Sequence, residues 1–223
     1  MRSKFFVLVC ILTPFGFIAQ KFTSTPYSSY GIGVFGGLNH PNFSGIGNVS
    51  APIIDSTKLN FFNPASYSML GHGQPLFSTG VSTVISEFTE DNNTFNQSIN
   101  GLNHLALAVP FGKRFAWAFG LKPYTRTGYE ITDQETLGVD TIKYTYQGKG
   151  STNQFFTGYS VKLLNRLNNK LSIGTHLSYI FGNSTHQQAA SPTTGFSGGV
   201  QERIYQLKSL HYDFGLNYLN RMK

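Results

Sequence analysis

The sequence predicts an all-β protein, an antiparallel transmembrane β-barrel preceded by an irregular N-terminal plug, and three observations carry that reading. Of 223 residues only 12% are charged, while 15% are aromatic and 24 are Gly. That balance disfavours a polar helical bundle and favours strands, rings and turns. After Gln74 the hydrophobic pattern takes period 2, with one large, often aromatic face and one small or polar face. A barrel with lipid outside and water or a plug inside needs that pairing of faces. The connections between the alternating runs also switch between long and short, as outer loops and periplasmic turns do.

Residues 1 to about 20 read as a secretory signal. Arg2 and Lys4 form a positive lead, and Phe5 to Leu12 is an apolar run too short to anchor in a membrane. Cleavage is expected near Ala19 or Gln20. The single cysteine, Cys10, falls within this leader, so the exported chain is expected to fold without disulfides. The protein carries 17 basic and 10 acidic residues. Without Arg2 and Lys4 that leaves 15 against 10, a mild excess with no basic run, and no nucleic-acid partner is expected.

From Lys21 to about Gln74 the chain is rich in Gly and Pro and has no sustained period, yet it holds Tyr27, Tyr30, Phe35, Phe43, Phe61, Phe62 and Tyr67. So many rings in irregular backbone predict a compact plug sheltered by walls. Near its end, Asn63 is placed to cap a short helical turn that Pro64 begins and Gly71 stops. Residues 75–223 are then read as a partial barrel. Strands are expected at about Leu76 to Glu87, Leu102 to Phe111, Phe115 to Arg126, Gln154 to Leu164, Leu171 to Phe181 and Leu210 to Tyr218. Glu87 to Gly101, Thr132 to Thr152 and Gly182 to Arg203 are expected to be long outer loops. Gly112 to Arg114 and Asn165 to Lys170 are the short turns between them.

About six strands are fewer than the eight that usually close such a barrel. The chain stops at Arg221-Met222-Lys223, where a further turn is due. The expectation is therefore an N-terminal part of a longer chain that supplies the remaining strands, or a truncated product, located in the outer membrane and in contact with its lipid.

By strand parity Lys122, Arg126 and Lys162 are expected to face the lumen. They could contact an amphiphilic anion, or simply belong to a polar, solvated lumen. Pro123 cannot donate to a ladder, and with Gly120 and Gly128 it could kink the third strand into a lateral opening; the other reading is a strand that ends at the rim. His104, His176 and His211, with Asp213 nearby, also face inward, but without chelating spacing. No nucleophile elbow, phosphate loop or carboxylate pair stands out, so neither an enzyme nor a cofactor or metal is expected.

The order of a leader, an irregular segment ending in Asn63-Pro64-Ala65, and then amphipathic strands resembles the long-chain fatty-acid transporter (FadL-type) family. Gly120-Leu121-Lys122-Pro123-Tyr124 and the strand from Leu171-Ser172-Ile173-Gly174 to Tyr179-Ile180-Phe181-Gly182 resemble it too. The resemblance runs from about Tyr27 to the end. It implies an N-terminal hatch that gates a channel for hydrophobic or amphiphilic small molecules, which leave sideways near a kinked third strand. The alternative is a scaffold or interaction barrel for secretion or surface assembly, with its lumen permanently plugged.

Overall fold

The computed structural model describes residues 25–36, 41–90, 93–137, 140–166, 168–192 and 198–220; the leader and its cleavage site lie outside them. Seven strands form one antiparallel sheet: β1 (Val34–Phe35), β2 (Leu76–Glu90), β3 (Asn93–Phe111), β4 (Phe115–Leu137), β5 (Asp140–Asn165), β6 (Asn169–Pro192) and β7 (Gly199–Asn220). The order is β2-β3-β4-β5-β6-β7, with β1 joined to β4. Among the described residues the sheet is open, with β2 and β7 at its edges.

The expected strands are present, but they are longer than the period-2 runs indicated. The stretches read as long loops continue the ladders instead. Leu137 pairs with Asp140, Glu90 with Asn93, and Ala190 with Gly199. Sequence such as Asn183-Ser184-Thr185-His186-Gln187-Gln188 is polar on both faces. The alternation that reveals a strand then fades, although the backbone pairing does not. Among the described residues, the breaks between strands at the other end lie around Gly112 and at Arg166.

The two faces differ as a barrel wall requires. Phe77, Val81, Tyr159, Leu177, Tyr212 and Phe214 project outward and are exposed, whereas Ala106, Ala108, Ala116, Ala118, Ser160 and Ser172 on the opposite face are buried. Small residues on the inner face let the plug come close. Its Leu59, Phe61, Tyr67 and Leu70 pack with those alanines and with Phe156 into one cluster. Filling a lumen with side chains from an irregular segment removes those rings from water without needing a second sheet.

Three irregularities interrupt the register, at Gly80/Val81, Pro123/Thr125 and Lys162/Leu164. Each adds one residue on one strand and reverses its inward and outward parity beyond that point. The second corrects an expectation: past Tyr124 it is Thr125, Thr127 and Tyr129 that turn buried side chains inward, so the alternation that placed Arg126 on the lumen face with Lys122 does not continue through Pro123.

Candidate functional site

The most constructed part of the molecule is the seat of the plug. Pro64–Met69 forms a 3-10 turn, every residue of it buried. Asn63 begins it as its chemistry suggests: its Oδ1 accepts from the Ala65 amide at 3.1 Å, and Pro64 takes the first position. The same side chain also bolts the turn to the wall. Asn63 Nδ2 donates to the Leu216 carbonyl at 3.2 Å and to Asn217 Oδ1 at 2.9 Å on β7, and to Ala51 within the plug at 2.9 Å. Ser160 on β5 and Ser172 on β6 both donate to the Ala65 carbonyl at 2.9 Å. Tyr67 and His176 share a short hydrogen bond between hydroxyl and Nε2. The exit is held as well, since His72 Nδ1 donates to the Gly112 carbonyl at 2.5 Å and the Gly71 amide to Ser56 at 3.0 Å.

Glycines in the wall make this seat possible. A Cβ on Gly174 would stand 2.5 Å from the Pro64 carbonyl carbon, one on Gly215 would strike Asn63, and one on Gly158 would strike His176. Gly174 and Gly215 are direct cross-strand partners, so the wall is pared to backbone where the turn lies on it. Packing this close lets three strands supply hydrogen bonds to one turn.

The sequence had singled out Asn63, Pro64 and Ala65, which lie in this seat. It had not singled out Ser160, Ser172, Asn217, Gly158, Gly174 or Gly215. Their signal was present as an inner face smaller than a solvated lumen needs, but only the register aligns them.

The other sequence-selected residues do not form one site. Lys122 Nζ stands 6.0 Å over the Phe62 ring. Lys162 lies at the turn end, where its amide donates to Arg114 at 2.8 Å. Lys122 pairs with Gln154, and from there to Lys162 along β5 is about 26 Å at about 3.3 Å per residue. Arg126 reaches away from both, donating from its guanidinium to the Leu102 carbonyl at 2.9 Å. The three cations therefore do not converge on one anion.

Around Pro123 the wall changes partners. Pairing of β3 with β4 runs from Phe111–Phe115 to Leu105–Leu121 and goes no further among the described residues. Beyond it, β1 pairs with β4, Val34 opposite Arg126 and Phe35 opposite Thr125. Gly120 permits a close approach to β3, since a Cβ there would lie 2.5 Å from the Leu105 carbonyl oxygen. Gly128 anchors the N-terminal segment: its amide meets Ser28 Oγ at 3.1 Å and its carbonyl accepts from the Thr25 amide at 3.1 Å. A cleft of about 700 Å³ opens at this seam, lined by Phe35, Val84, Ile99, Pro123 and Arg126 among others.

Among the inward histidines, His104 bonds Ser78 Oγ at 2.8 Å and Asn103 Oδ1 at 2.8 Å. The order is that of a nucleophile, a base and an orienting group, but the ring is 2% exposed. Phe61 covers it at 4.9 Å. His211 contacts Asp213 at 3.4 Å in an exposed position on β7. Among the described residues no group of three His, Cys, Asp or Glu is placed to hold a metal, and no helix is long and apolar enough to cross a membrane, which says nothing of strands.

Comparison with known proteins corrects the resemblance. The family model that matches is BamG, over residues 1–223. No curated protein and no solved structure matches the chain. The long-chain fatty-acid transporter family, and with it the gated channel, the fatty-acid ligand and the associated partners, is overturned by this match. The most specific feature that suggested it, Asn63-Pro64-Ala65 ahead of amphipathic strands, is three residues long and is accounted for by the capping of a local turn. The chain belongs to the BamG family.

Proposed function

We propose that the protein is an outer-membrane component of the Bam machinery for assembling outer-membrane proteins, serving as a plugged scaffold and not as a conduit. Membership of the BamG family associates it with the outer membrane and with that assembly role. The observation that carries the scaffold reading is the bolted plug. Ala65 accepts from two wall serines, Asn63 donates to β7, and Tyr67 meets His176 within a seat cut into three strands. A hatch that opened would exchange these bonds for bonds to water, at roughly 0.5–1.5 kcal/mol each. A scaffold gains from the same bonds a wall of defined shape on which partners can dock.

A leader over residues 1–20, a plug over 21–74 and a barrel wall over 75–223 fit this role. So does a non-enzymatic function without cofactor or metal, in which His104 and His176 serve as packed hydrogen-bonding groups. The test is depletion of the protein in its own cell, followed by two measurements. Heat-modifiable forms of other outer-membrane barrels should fall, while uptake of a labelled long-chain fatty acid, normalised to barrel content, should not change. Normal barrel levels with impaired uptake would refute the assembly role.

A further inference from the structure

Among the described residues, the seam between β3 and β4 has one side that is covered and one that has no ladder partner. On β4, the chain's own N-terminal segment runs along the edge: Thr25 donates to Gly128, β1 pairs at Thr125 and Arg126, and the Gly36 amide donates to Tyr124 at 2.8 Å. On β3, residues 93–101 are in ladder with β2 only, among the described residues. The direction of their backbone groups follows from Leu102, whose carbonyl accepts from Arg126 across the seam. In an antiparallel strand alternate residues point the same way, and the register from Val81–Leu102 to Glu90–Asn93 is unbroken. Asn100, Ser98 and Asn96 therefore aim their N-H and C=O groups into the seam. The edge from Asn93 to Gly101 is about 26 Å long at about 3.3 Å per residue.

A strand edge left to water is normally blunted by charge or proline. Asn93-Thr94-Phe95-Asn96-Gln97-Ser98-Ile99-Asn100 holds neither, and the Arg126 guanidinium covers only the Gly101-Leu102 end. The seam already accepts an extended backbone in β1, and the cleft of about 700 Å³ beside it presents Phe35, Val84 and Ile99 on the inner side.

We propose that this seam is a docking site for an extended segment of a partner protein, which adds a strand to β3 along residues 93–100. The main chain supplies the hydrogen bonds. Every second side chain of the segment is apolar and enters the cleft against Val84 and Ile99, while the intervening ones are small and polar, beside Ser98 and Asn100. The inference rests on the wall geometry and does not need the assembly role.

The test uses the full chain in lipid nanodiscs and two probes: a fluorescent octapeptide of alternating valine and threonine, and the same peptide N-methylated at alternate amides. Anisotropy should show saturable binding of the first and at least a tenfold weaker response to the second. Amide exchange at Asn96, Ser98 and Asn100 should slow at least tenfold with the first peptide, while exchange in the Phe111 to Phe115 hairpin stays constant. Ser98→Pro with Asn100→Pro removes two seam-facing donors and should abolish binding; if that variant does not fold, the methylated peptide still decides. The proposal is overturned if the unmodified peptide does not bind, if both peptides bind alike, or if these amides are already protected before peptide is added.

Discussion

Gly174→Ala is the sharpest test of the plug seat. The added Cβ would lie 2.5 Å from the Pro64 carbonyl carbon and 2.6 Å from the Ala65 nitrogen, and both are backbone atoms that no rotamer change can move aside. The turn must lift or β6 must bow. Overpacking of this kind costs about 1–3 kcal/mol. Lifting the turn also breaks the two serine bonds to the Ala65 carbonyl, at about 0.5–1.5 kcal/mol each. Together these give a loss of about 2–6 kcal/mol. Urea unfolding of the refolded protein in detergent, with limited proteolysis within residues 41–75, reads the effect. The midpoint should fall, and the plug should be cleaved while the wall stays resistant. Gly199→Ala is the control, because a Cβ there meets nothing within 4 Å, and it should match the parent. If Gly174→Ala keeps both the parent midpoint and the protease resistance, the plug is not seated on the wall as described.

The two roles of Asn63 can be separated: Asn63→Asp keeps the cap acceptor but loses the donors to Leu216 and Asn217, so it should lose stability nearly as Asn63→Ala does, and equality of Asp with the parent in urea unfolding would rule out the bolt to β7. Tyr67→Phe leaves His176 Nε2 buried without its partner and should cost about 1–3 kcal/mol in the same unfolding assay. Phe119→Lys, on the outer face beside Trp117, should impair membrane insertion by roughly 2–4 kcal/mol near the midplane, read as loss of the heat-modifiable band. Asp55 in the plug is held below the usual carboxylate range by hydrogen bonds from the Thr57 side chain and amide, with Lys58 adding attraction. Because its folded value is depressed, its stabilisation is present above the unfolded value of about 3.9 and is lost as pH falls through the lower folded value. Asp55→Asn should remove that part of the acid dependence of plug proteolysis, and an unchanged acid profile would refute the assignment.

The outer and inner faces of the strands were legible in the sequence because a lipid-facing wall imposes period 2 on every residue pair it spans, as in Leu105, Leu107 and Val109 against Ala106 and Ala108. The cap at Asn63-Pro64 was legible for a similar reason, since its geometry is satisfied within a few residues. The strand extensions beyond those runs were not, because stretches such as Asn183 to Gln188 are polar on both faces and show no alternation. Parity could not place Arg126, because it does not carry across the register shift between β4 and β5 at Pro123/Thr125, and the guanidinium reaches the Leu102 carbonyl beside the cleft. Pro123 marks the place where a ladder can break, but not that β1 takes the place of β3 beside β4. The plug seat likewise joins Ala65 to Ser160 and Ser172, about a hundred residues away. By itself the sequence determined which faces meet lipid and where the plug ends, since both are set by local period and local hydrogen bonding. Only the tertiary structure decided where the plug is bolted and which strand borders β4 beyond Pro123, because both depend on the register between strands, and a single inserted residue reverses it.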